Sequence, residues 1–145
     1  MSLFSALSVS ASGLTAQRHR AEVLVENLAN AETTRTPEGG PYRRKEVVFA
    51  TQTVGSPFAS AFQSAASAGS AGVSGDKVIN DTRDPEKRYL PGHPDADQDG
   101  YVAFPNSNPA EEMVNLMGAS RSYQANVAAM SAVKDMIQKS LELFR

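Results

Sequence analysis

The chain has 145 residues, no cysteine and a formal net charge of −2. That size is one ordinary domain and leaves little room for a large two-domain enzyme, while the missing thiols exclude disulfide staples, thiolate nucleophiles and zinc–thiolate sites. The near-neutral charge gives no global pull toward nucleic acid or an anionic membrane, and no window approaches the ~20 consecutive apolar residues of a membrane span.

The first element expected is a helix over residues 1–31. Phe4, Leu7, Ala11, Leu14, Ala21, Val25 and Leu28 recur at steps of three and four, interrupted only by Arg18, which is the spacing of one narrow helical seam. Met1–Ser8 carries no basic segment ahead of a hydrophobic core, so no cleaved secretory signal is expected. Gly13 weakens the free helix, which should fade near Asn30, before Thr33, Thr34 and Pro37.

Residues 32–108 have a different character. The basic run Arg43-Arg44-Lys45 reads as a solvated strand or loop edge. Glu46–Val54, Val78-Ile79 and Tyr101–Phe104 are rich in β-branched or aromatic residues and separated by turn residues, so they predict short strands in a small antiparallel sheet or incomplete barrel. The Ser/Ala/Gly stretch over 55–75 lacks the apolar bulk to offset its ordering entropy and is expected as a mobile loop.

A second long helix is expected over 109–145. Asn108 suits the N-cap, Pro109 the first helical position, and Glu111 the place of a capping-box carboxylate, with Glu111 and Glu112 favouring the positive end of the helix dipole. Its seam reads Met113, Leu116, Tyr123, Val127, Met130, Ile137, Leu141 and Phe144, with Ser120 and Lys134 as polar interruptions. The fold class is therefore mainly α with a small β part, the terminal helices packing as an antiparallel, coiled-coil-like stalk. One seam shared by two such helices leaves flanking apolar residues (Val23, Leu24, Val114, Met117, Val133) partly exposed. Helices loose in the free protein and ordered in an assembly follow from that.

Chemistry-bearing motifs are sparse. Asp95-Ala96-Asp97-Gln98-Asp99-Gly100 matches the opening of an EF-hand loop, but the twelfth position is Asn106 rather than glutamate, and Pro91, Pro94 and Pro105 stand where helices should flank it. It reads as a polar turn, with a calcium-binding or other interaction module over 95–106 as the alternative. His19 and His93 have no metal spacing, no serine sits in a nucleophile elbow, and the carboxylates form no acid/base pair. Neither an enzyme, such as one remodelling cell wall, nor a cofactor or metal site is expected. Asn27-Leu28-Ala29-Asn30 and Tyr123-Gln124-Ala125-Asn126 stand out as polar clusters on the helices. They are either ordinary caps and solvated faces or inter-helix bonds that set register.

At these clusters the sequence resembles a known superfamily. Ser12-Gly13-Leu14-Thr15-Ala16-Gln17 and Asn27-Leu28-Ala29-Asn30-Ala31-Glu32-Thr33 resemble the N-terminal signature of bacterial flagellar rod and hook proteins, and Glu111-Glu112-Met113-Val114 with Ser120–Asn126 resembles their C-terminal signature. Gly40-Pro41-Tyr42-Arg43-Arg44-Lys45, Tyr89-Leu90-Pro91-Gly92-His93-Pro94 and Gly100-Tyr101-Val102 narrow the likeness to the FlgC family of proximal basal-body rod proteins. The resemblance implies a structural subunit, exported by the flagellar type III apparatus without signal cleavage and assembled in the periplasm. There its terminal helices would line the export channel and the β region would sit further out. Implied partners are other rod subunits, copies of itself, the export apparatus and the inner-membrane ring side of the basal body. The residues expected at assembly interfaces are Leu7, Leu14, Val25, Asn27, Leu28 and Asn30 on the first helix. On the second they are Met113, Leu116, Tyr123, Gln124, Asn126, Val127, Met130, Ile137 and Leu141.

Overall fold

A computed structural model describes residues 3–53 and 71–143. Helix α1 spans Leu3–Ala29 and helix α2 spans Pro109–Glu142. Between them lie strands β1 (Lys45–Thr53), β2 (Ala71–Asn80), β3 (Glu86–Tyr89) and β4 (Tyr101–Phe104). The strands form two separate antiparallel ribbons, β1–β2 and β3–β4, rather than one sheet.

Both helices begin and end as their local chemistry dictates. The Asn108 side chain accepts from the Ala110 backbone N–H, with Pro109 filling the first turn, so the α2 start is capped by an Asx bond. At the end of α1, Asn30 donates its side-chain amide to the Glu26 carbonyl and accepts from the Thr33 hydroxyl, which closes the last turn. Asn27 meets Glu112 at one end of the helix pair, and Asn126 lies over Gly13 further along. From Asn27 back to Gly13 and from Glu112 on to Asn126 is the same fourteen residues, so the helices run antiparallel in a single register.

The face on which the pair closes overlaps the one the apolar spacing suggested, with Leu7, Leu14, Leu28, Leu116, Met130 and Ile137 half-buried, but its most buried residues are others. On α1 the buried residues are Ala16, Val23, Leu24 and Asn27; on α2 they are Glu112, Ala119 and Val133. Val23, Leu24 and Val133, expected on partly exposed flanks, are thus inside, while Val25, expected on the seam, is 50 % exposed and Phe4 75 %. The physical reason is size. Gly13, Ala16 and Ala119 let the backbones approach, so close packing selects the face of small residues and turns much of the bulkier stripe outward. Val114 and Met117 are exposed as expected.

The β1–β2 ribbon lies against α1. Its register shifts between Val48 and Ala50, where Gly75 and Asp76 together stand opposite Phe49, a bulge in β2. Glycine suits that bulge, because a Cβ at Gly75 would crowd the Phe49 ring at 3.0 Å. The ribbon is longer than expected. Residues 71–75, assigned by composition to a mobile loop, open β2, and the rest of that stretch (55–70) lies outside the described residues. Strand β3 had no signature in the sequence: Glu86-Lys87-Arg88-Tyr89 is fully exposed and exists by pairing with β4. Beneath that second ribbon Val102 and Pro105 are buried, and Tyr89 and Tyr101 meet edge to face at 5.4 Å.

Candidate assembly interface

Helix α2 carries an apolar stripe that its partner helix does not cover. Met113, Val114, Met117, Tyr123 and Val127 are between 41 % and 63 % exposed, spread over the half of the helix turned away from its most buried residues. Leu141 continues the apolar surface toward the end of the helix. Of the residues expected at an assembly interface, Val25, Met113, Tyr123, Gln124, Val127 and Leu141 stand exposed, whereas Leu7, Leu14, Leu28, Asn30, Leu116, Asn126, Met130 and Ile137 are half-buried along the helix pair. Asn126 uses its amide on the Ser122 carbonyl one turn back. Asn27 differs from all of these. It is wholly buried and bonded only within the chain.

Around Asn27 lies a polar junction that joins both helices to the first ribbon. The Asp81 N–H donates to the Arg44 carbonyl at 2.7 Å, so Arg44 and Glu46 turn their backbone groups toward β2 and Lys45 turns its own outward. Asn27 meets that free edge. Its Nδ2 donates to the Lys45 carbonyl at 2.8 Å, and its Oδ1 accepts from the Lys45 N–H at 2.9 Å. The amide therefore occupies the place of a neighbouring strand. Its second donor reaches Glu112 Oε2 at 3.3 Å, and Tyr42 Oη donates to Oδ1 at 3.0 Å, so all four hydrogen-bonding positions of the amide are filled. This pattern fixes which amide atom is oxygen, since a flip would set donors against Lys45 N–H and Tyr42 Oη.

Glu112, the other buried polar residue, takes its compensation from two sides. Asn27 bonds one oxygen, and Arg44 Nε donates to the other at 2.5 Å. Burial pulls the Arg44 guanidinium down, but the bond and charge of Glu112 outweigh it and its pKa lies above the usual value. Burial, then the charges of Glu26 and Glu112, push the Tyr42 phenol up to about 12. An ion pair between Lys45 and Glu26 closes the outer side.

Helix α1 meets the ribbon edge at two further points. The Val73 N–H donates to Ser12 Oγ at 3.1 Å, and His19 Nδ1 donates to the Gly75 carbonyl at 2.7 Å. The acceptor there fixes the histidine tautomer.

The Asp-rich turn uses its carboxylates on its own backbone and neighbours. Asp97 Oδ1 accepts from the N–H groups of Asp99 and Tyr101, and Asp95 Oδ2 accepts from Thr34 Oγ1. Gly100 is required by its φ of +80° and by Tyr89, whose ring lies 2.9 Å from where a Cβ would stand. Nothing in this geometry supports the calcium alternative. Among the described residues no group of three or more His, Asp or Glu could hold a metal ion, and no helix is long and apolar enough to cross a membrane.

The sequence pointed to Asn27 but not to its partners. Arg44 and Lys45 read as part of a solvated basic edge, Tyr42 only as part of a family motif, and Glu112 as one of two carboxylates at a helix start. Tertiary proximity alone separates Glu112 from the exposed Glu111.

Comparison with known proteins agrees with this organisation. A family model described as flagellar basal body rod FlgEFG protein C-terminal matches residues 98–143. A flagellar basal-body rod protein FlgC from Bacillus subtilis (strain 168) is 47 % identical to this chain, with 99 % of each covered. The proteins of that name from Salmonella typhimurium (strain LT2) and Borreliella burgdorferi are 42 % and 38 % identical, covering 99 % and 100 % of this chain and 98 % and 99 % of their own lengths.

Proposed function

Since the chain belongs to the FlgC family of flagellar basal-body rod proteins and is a structural subunit of that rod, we propose that its terminal helices hold it there, with the outer face of α2 packing against neighbouring subunits. The observation that carries this reading is the stripe Met113, Val114, Met117, Tyr123 and Val127, which α1 leaves uncovered. An uncovered apolar helix face beside a closed polar junction suits a subunit completed by its neighbours.

The residues expected at the interface divide accordingly. Exposed ones, such as Met113, Tyr123, Gln124 and Val127, would meet other subunits directly, and half-buried ones, such as Leu14 and Leu116, would hold the helix pair in shape. Copies of this chain and other rod subunits are the partners, at the proximal end of the rod toward the inner-membrane ring. The helices form part of the export-channel wall, and the ribbons face outward into the periplasm. The subunit reaches its place through the flagellar type III export apparatus without signal cleavage. Its work is mechanical, the transmission of torque through helix packing, rather than catalytic.

Val127→Asp tests this. At 46 % exposure the side chain costs the free chain little, but in a packed interface it places an unpaired charge against apolar surface. Export should persist while incorporation into the rod and swimming are lost. Normal motility and normal rod content in cells carrying the variant would remove this face from the interface.

A further inference from the structure

We propose that the Asn27 amide is a register lock: by taking the place of a strand beside Lys45 while bonding Glu112, it fixes which residues of the two helices face each other. This does not depend on what the chain assembles with.

The junction adds to a seam made largely of small side chains. Gly13 and Ala16 on α1 and Ala119 on α2 are small, and half-buried Ser122 extends the same face of α2. A slide of α2 by two turns, seven residues, already sets the Asn126 amide where Ala119 stood. At the junction the same slide is decisive. Ala119 arrives where Glu112 belongs, so the Asn27 amide loses an acceptor and the Arg44 guanidinium, only 16 % exposed, loses its carboxylate. A buried donor or charge without a partner carries its full desolvation cost, which selects the native register.

Two features make Asn27 the centre of this selection rather than one contributor among several. Its bonds to both backbone groups of Lys45 tie α1 to β1, so α1 cannot follow a sliding α2 without breaking the ribbon edge. Arg44 precedes Lys45 and bonds Glu112, so the same two residues of the chain read the position of both helices. At the other end Asn126 lies over Gly13, where an added Cβ would come within 3.2 Å of the amide. A slide would bring Val133 or Ala119 there instead. Asn27 is thus a positioning residue acting through Lys45, Arg44 and Glu112.

The absence of cysteine allows a direct test in the full chain. Arg18 and Lys134 are exposed, and counting from the Asn27–Glu112 contact Lys134 is level with Ser5, about 20 Å along the axis from Arg18 at 1.5 Å per residue, so a slide of one helix changes their separation directly. Spin labels on Arg18→Cys and Lys134→Cys should give one narrow distance. In Asn27→Ala a second population should appear, with one label displaced about 10 Å along the axis, seven residues at 1.5 Å each. Asn27→Asp keeps the size of the side chain but cannot donate to the Lys45 carbonyl and sets two carboxylates together, so it should show the second population as well. If Asn27→Ala leaves no helix, Glu112→Gln takes its place, since one amide oxygen cannot serve both Asn27 and Arg44. A single native distance in whichever of these variants retains helix would overturn the lock and leave the junction a source of stability alone.

Discussion

Glu112 and Met113 are consecutive residues in the first turns of α2, and they invert the usual preference of their side chains. The carboxylate is 1 % exposed and the thioether 52 %. Around Glu112 the chain supplies the partners itself, from Asn27 and Arg44. Around Met113 it supplies a stripe of apolar residues and leaves it open. Their arrangement separates two surfaces along one helix: a polar junction that ties the helix to α1 and β1, and an open apolar face, the one proposed above to meet other subunits.

The largest effect that can break this comparison is a pair of neighbouring alanines. Glu112→Ala strands Arg44 and one Asn27 donor, and should cost about 3 kcal/mol of stability or more. Met113→Ala, one residue on, removes only exposed surface and should stay within about 0.5 kcal/mol. Urea unfolding of both variants decides it, and equal midpoints would mean that the junction carries no special share of the fold. A step smaller, Ala119→Leu forces a larger side chain into the closest approach of the helices and should cost about 1–3 kcal/mol. Met117→Leu on the open face should be nearly neutral by the same measurement.

Much of this frame was legible because it is local. The start of α2 follows from Asn108-Pro109, the end of α1 from Asn30, and β1 and β4 from their β-branched and aromatic runs. What could not be read depends on distant partners. Ala71–Gly75 has the composition of a loop and becomes strand because β1 pairs with it and Ser12 and His19 occupy its outer edge. Strand β3 is charged throughout and is a strand only opposite β4. Apolar spacing located a helical stripe but not its destination: the small residues took the intramolecular contact and left much of the stripe outside. The buried identity of Asn27 was hidden for a related reason. An amide near a helix end caps locally, as Asn30 does, unless a strand edge arrives beside it, as it does for Asn27.

The finest way to sharpen the contrast uses pH, because the junction encloses a titrating group whose pKa is displaced. Tyr42 donates to Asn27 Oδ1, and burial together with the charges of Glu26 and Glu112 raises its pKa from 10.0 to about 12. A raised pKa means that the folded state holds this proton more tightly than the unfolded chain does. The stability that Tyr42 adds is therefore fully present below pH 10 and is lost as pH climbs toward 12. Tyr42→Phe removes the hydroxyl but leaves Asn27 Oδ1 its bond from the Lys45 N–H, so at neutral pH the variant should lose only about 1 kcal/mol. Lysines titrate in the same alkaline range, so the informative quantity is the difference in urea midpoint between the two proteins rather than either curve. That difference should be constant up to pH 10 and shrink between 10 and 12. A difference that stayed flat to pH 12 would uncouple the phenol from the junction, whereas one that closed would place a proton of Tyr42 among the groups holding α1, β1 and α2 together.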